Sequence, residues 1–182
     1  MEERMEQTKI KQLIRIVITG PESTGKTELC KKLAEYYNTT FIPEYAREYV
    51  QNLNRKYDYN DVIHIAKKQI EFENEYSKIA RNVLFYDTYL IITKIWLEVV
   101  YKKSPAWIDH KLKNNNINLF LICAPDIPWI ADGVRENGGE MRNLLFNRYI
   151  EELENYSCMY RIISGNDRFA MAKGYLWKIL NI

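Results

Sequence analysis

The eight residues GPESTGKT, Gly20 to Thr27, follow directly on the apolar run Leu13–Thr19. No other stretch limits the fold as tightly. The spacing G-x-x-x-x-G-K-[ST] asks for a strand before it and a helix after it. Gly20 and Gly25 admit backbone angles that a Cβ would block, so successive N–H groups can turn inward toward an anion. The new helix brings its positive end to the same point. Lys26 is expected to reach the outer phosphates of a nucleoside triphosphate as a point charge, and Thr27 to offer a hydroxyl to Mg²⁺. Pro21, Glu22, Ser23 and Thr24 complete the cradle. ATP and Mg²⁺ are therefore the expected cofactors.

Beyond the loop, strands and helices alternate. Strands are predicted at Leu13–Thr19, Thr39–Ile42, Val83–Tyr86, Asn118–Cys123 and Met159–Ile163. The intervening helices are predicted over 25–37, 44–53, from a cap at Asn60 or Asp61 to about Asn82, and from a cap at Thr88. Others start at Ser104-Pro105, run over 141–156, and follow Ser164-Gly165 to about Leu180. This alternation predicts an α/β, three-layer nucleoside-kinase-like fold with a five-stranded, mainly parallel sheet. Residues 1–12 read as a flexible lead-in, and 13–182 as one domain of ordinary size.

Composition excludes several classes. Lys and Arg number 26 against 24 Asp and Glu, a net of +2, which gives no reason to expect a nucleic-acid surface. No apolar run is long enough to span a membrane. The three cysteines, Cys30, Cys123 and Cys158, lie far apart with no C-x-x-C, so free thiols in a reducing cytoplasm are expected. The N-terminus is charged and lacks the apolar core of a signal peptide. There is no N-K-x-D for guanine and no L-S-G-G-Q. The short stretch after the last predicted strand leaves no room for the helical lid of a ring ATPase. A phosphotransferase acting on a small molecule remains.

Three further segments carry chemistry. Asp87 ends the third strand, where a carboxylate faces the crevice at the C-terminal edge of the sheet; it is a candidate for Mg²⁺, substrate or base, with a helix cap as the plain alternative. The loop between the fourth and fifth strands, APDIPWIADGVRENGGEMR, carries Arg135 and Arg142, with Arg148 beyond, to neutralise a phosphoryl group in flight. Gly133, Gly138 and Gly139 would let it close over the site. Finally, PEYARE follows the second strand. Glu44 is placed to accept a proton from an acceptor hydroxyl, in rivalry with Asp87. Arg47 is read as binding phosphate or pairing with Glu48.

These pieces together resemble the ribosylnicotinamide kinase family. The matching segments are ITGPESTGKT, PEYARE, IAKKQIE, YDT and PDIPWIADGVR, in order over roughly residues 14–170. The resemblance implies transfer of the ATP γ-phosphate to the 5′-hydroxyl of nicotinamide riboside. That acceptor carries a pyridinium charge, so aromatic faces and carboxylates are expected around it: Tyr45, Trp129, Asp126 and Asp132. Trp96 and Trp107 are read as core. In related kinases the turn after the fifth strand contacts adenine, which nominates Arg168. The family usually reads D-T-D where this chain has Asp87-Thr88-Tyr89, which brings affinity and substrate choice into question. Neither His64 nor His110 forms the H-x-G-H of adenylyl transfer, and no helix-turn-helix is expected ahead of the first strand. The competing readings are a kinase for another nucleoside and an ATP-binding regulator with little turnover.

Overall fold

The alternation of apolar residues in the run after Leu13 decides how the layers form. Ile16 and Ile18 point to one face of a strand and Val17 to the other, and all three are fully buried. A strand buried on both faces needs helices on both sides. The computed structural model, which describes residues 12–131 and 137–180, provides them. The elements run β1 (Ile14–Thr19), α1 (Lys26–Tyr36), β2 (Phe41–Ile42), α2 (Tyr45–Gln51), α3 (Tyr59–Tyr76) and β3 (Val83–Asp87). They continue with α4 (Leu90–Tyr101), α5 (Ala106–Lys113), β4 (Leu119–Cys123), α6 (Glu140–Asn155), β5 (Tyr160–Ile163) and α7 (Arg168–Leu180).

The five strands are all parallel and ordered β2-β3-β1-β4-β5. One face carries α1 and α7 on Ile16, Ile18, Phe85, Leu119 and Leu121. The other carries α3, α4, α5 and α6 on Val17, Leu84, Tyr86, Phe120 and Ile122. The predicted three layers and parallel sheet are therefore present. Because β1 lies in the middle, its loop to α1 emerges between the ends of β3 and β4. The register places Ile18 beside Asp87 and Thr19 beside Ile122. Every strand ends at the same edge, where candidate chemistry from distant sequence positions converges.

Several boundaries differ from expectation. The cap of α3 is Asp58, which accepts from the Asn60 and Asp61 amides while the Asp61 carboxylate accepts from the Asp58 N–H. That reciprocal box outcompetes a start one turn later. The same helix stops at Tyr76, six residues short of Asn82. Thr88 does not cap α4. It takes the left-handed conformation (φ 74°), and Tyr89 stands at the cap without a side-chain bond. Lys94 on α4 is buried. Its ammonium pairs with Glu98 at 2.5 Å and Glu152 at 3.0 Å, joining α4 to α6. Cys30, Cys123 and Cys158 are free thiols. No helix among the described residues is long and apolar enough to cross a membrane.

Candidate active site

Gly20 is required where β1 turns into the loop. Its φ is 129°, and a Cβ there would sit 2.6 Å from the Cys123 carbonyl oxygen on β4. Only glycine allows this strand end and that one to stay so close. Gly25 caps α1 in the left-handed conformation at φ 75°. Inside the loop, the Thr24 hydroxyl donates to the Pro21 carbonyl at 2.8 Å, and the Lys26 ammonium donates to the same oxygen at 2.7 Å. Lys26 is thus folded against the cradle.

Asp87 ends β3 facing this loop. It is 2% exposed, and neither carboxylate oxygen has a hydrogen-bond partner of good geometry among the described residues. Burial and the nearby Glu44 charge raise its pKa to about 6, against the pull of the Thr27 hydroxyl, Lys26 and Arg47. A buried carboxylate with both oxygens vacant is costly unless a cation or a proton completes it. The donor set of Asp87 and the Thr27 hydroxyl fits a hard, oxygen-loving divalent ion.

Glu44 precedes α2, and its carboxylate pairs with Arg47 at 3.5 Å. Arg47 therefore holds Glu44 rather than the expected Glu48. Both line a cleft of about 190 Å³ that starts at Gly20, Pro21, Glu22 and Lys26. The cleft continues between α2, α4 and α6 as an apolar trough walled by Val50, Tyr57, Ile92, Trp96, Val99 and Tyr149. Tyr57 and Trp96 meet edge to face with centroids 4.8 Å apart.

The sequence reading placed the aromatic faces elsewhere. Tyr45 turns toward α3, where its hydroxyl meets His64 Nε2 at 3.1 Å and its ring packs on Tyr49 and Phe72. Trp129 packs against Gly138 within its own loop and does not line the cleft. Trp96, read as core, packs against the core and also walls the cleft. The signal was available: Ile92, Trp96, Val99 and Val100 recur at helical spacing on a second face of α4, beside the stripe through Ile91 and Ile95 that enters the core. Tyr57 lies in a charged turn and had no such signal.

The arginines also find unexpected partners. Arg142 is 6% exposed, and its guanidinium donates to the Ile127 carbonyl at 3.0 Å and the Ser23 carbonyl at 3.1 Å. It ties the loop after β4 to the phosphate loop. Arg148 pairs with Glu98, Glu151 and Glu152, away from the cradle. Arg168 is buried and donates to Asp126 and to the Ala124 and Ile163 carbonyls, so it fastens the ends of β4 and β5 instead of presenting a free face to a base. Asp126 in turn accepts from the Gly165 N–H at 2.6 Å. Asp132, Gly133 and Arg135 lie outside the described residues. Tyr89, in place of the usual acid, is 1% exposed between Tyr86 and Phe120, and its hydroxyl has no partner among the described residues. That ring belongs to the core.

A family model described as an AAA domain matches residues 15–168. The chain belongs to that family. Among curated relatives, the trifunctional NAD biosynthesis/regulator protein NadR of Escherichia coli is 28% identical over 157 residues. The match takes in 84% of this chain and 38% of that protein, so the chain spans little more than a third of its relative. This homology agrees with the resemblance carried by the motifs. Among solved structures, a NadR protein in complex with NR superposes with a TM-score of 0.83 at 20% identity, covering 93% of this chain and 52% of that one. Deoxyadenosine kinase from M. mycoides follows the same fold at a TM-score of 0.64 and 14% identity, over 93% of this chain and all of the other. This AAA-domain chain therefore has the phosphate-loop kinase fold.

Proposed function

We propose that this cleft transfers the γ-phosphoryl group of ATP to the 5′-hydroxyl of nicotinamide riboside, giving nicotinamide mononucleotide and ADP. The observation that carries this reading is Asp87: a buried carboxylate beside Lys26 and Thr27, next to the phosphate loop from which the aromatic-walled trough runs. Homology to NadR supports the choice of acceptor.

The phosphate loop cradles the triphosphate, and Lys26 swings from the Pro21 carbonyl to the transferring group. Thr27 and Asp87 would hold Mg²⁺, which supplies charge neutralisation for the phosphates. Glu44 lines the cleft whereas Asp87 does not, so Glu44 is the base. Its carboxylate takes the 5′-hydroxyl proton as that oxygen bonds to the γ-phosphorus. The bond to the β–γ bridging oxygen breaks, and ADP leaves with that electron pair. Arg47 pairs with the Glu44 carboxylate where both line the cleft. Trp96 and Tyr57 offer faces to the cationic ring. Arg135 remains the candidate cation for the phosphoryl group in flight, and Arg142 acts by positioning.

The test is incubation with Mg-ATP and nicotinamide riboside, with uridine, cytidine and deoxynucleosides in parallel, and mass spectrometry of the monophosphates. Nicotinamide mononucleotide as the main product, lost in Lys26→Ala, is expected. Turnover of a different nucleoside would refute the acceptor and keep the kinase. Bound ATP with no product would refute both.

A further inference from the structure

Glu22 is an odd residue for an anion cradle. It sets a negative charge two residues past Gly20, beside the place where phosphates are to bind. Its carboxylate is already engaged. One oxygen accepts the backbone N–H of Asn137 at 2.9 Å, and the other accepts the Asn137 side-chain amide at 3.1 Å. Asn137 stands 115 residues away, on the arm that leads into α6. Two more contacts join the same parts. The Ser23 hydroxyl accepts the Ile130 N–H at 3.0 Å, and Arg142 in the first turn of α6 donates to the Ser23 carbonyl at 3.1 Å. The side chains of Glu22 and Ser23 therefore face the β4–α6 connection.

We infer that Glu22 is a positioning residue: through its two-point grip on Asn137 it fixes the arm into α6 against the phosphate loop, and so sets one wall of the acceptor site. Asn137 lines the cleft with Lys26 and Glu44, and Leu145 and Tyr149 of α6 line its far end. An arm carried on the phosphate loop keeps that wall in register with the phosphates. A carboxylate suits this task because it accepts both donors of Asn137 at once. This role rests on the kinase reading of the cleft.

The test uses the full chain. In Glu22→Ala and in Asn137→Asp, which sets carboxylate against carboxylate, backbone amides of residues 137–142 exchange with deuterium about tenfold faster, the factor lost with a charged hydrogen bond. With Mg-ATP and nicotinamide riboside, kcat/KM for the riboside falls about tenfold, while KM for ATP stays within about twofold. Glu22→Gln, which keeps an oxygen for the Asn137 N–H, restores most of both. The double variant Glu22→Ala/Asn137→Asp is no worse than either single one, because both remove the same contact. Unchanged exchange at Asn137 in Glu22→Ala overturns the inference. So does additivity of the two changes, or a Glu22→Gln variant as impaired as Glu22→Ala, which would make the charge rather than the grip decisive. If the wild-type chain phosphorylates no acceptor, the proposed function fails, and the exchange experiment still decides whether Glu22 holds the arm.

Discussion

Replacing Asp87 with asparagine should abolish turnover and, in metal-free protein, raise stability. The magnitude follows from the carboxylate's surroundings. Its pKa moves from 3.8 to about 6 because of burial first and the Glu44 charge second. A shift of roughly two units corresponds to ~3 kcal/mol between the two protonation states. The folded-state value lies above the unfolded one, so the native state binds the proton more tightly. The penalty is therefore absent well below pH 4, about half in place at pH 5 and complete by about pH 8. Asparagine never ionises and escapes it, although its amide still lacks partners at a cost of about 1 kcal/mol or more. Urea unfolding in EDTA should show the variant about 1–2 kcal/mol more stable than wild type at pH 8, with the gap narrowing by about 1 kcal/mol at pH 5. Mg-ATP should then stabilise the wild type more than the variant. A variant less stable than wild type at pH 8, or a gap that does not change with pH, would refute the reasoning that Asp87 is held ionised at a cost.

Gly20→Ala drives a Cβ into the Cys123 carbonyl and should cost about 3 kcal/mol or more, read as a fall in Tm of about 6–12 °C. Tyr89→Phe removes a buried hydroxyl without a partner and should raise Tm by about 2–4 °C; a fall would mean that the hydroxyl is satisfied. Trp96→Leu removes an aromatic wall of the trough and should raise KM for nicotinamide riboside about tenfold, with KM for ATP unchanged within about twofold. Steady-state kinetics with each substrate varied in turn decides it.

The parts of this protein that a reader of the sequence finds are those set by short-range chemistry. The phosphate loop, the five strands and Asp87 at a strand end are local patterns, and the structure holds them within a residue or two of expectation. Glu44 is placed beside the cleft for the same reason, since it lies one step beyond a strand stopped by Pro43. What was misplaced depends on which way a side chain turns after its element has docked. Tyr45 starts α2 near the cleft but faces His64, while Trp96 sits on the second apolar face of α4. The arginines show the same limit. Arg142 binds the Ser23 carbonyl across 119 residues and Arg168 the Ala124 carbonyl across 44. Sequence spacing cannot show that Glu22 bonds to Asn137 across 115 residues.

Tyr89 ties a position two residues past Asp87 to the core. Its ring fills the space between Tyr86 and Phe120. An acid placed there would empty that space and strand a charge in it. Any gain in acceptor grip must come from the trough itself. If the proposed kinase reading holds, a change of acceptor would be felt first at Tyr57 and Trp96, the aromatic walls of that trough.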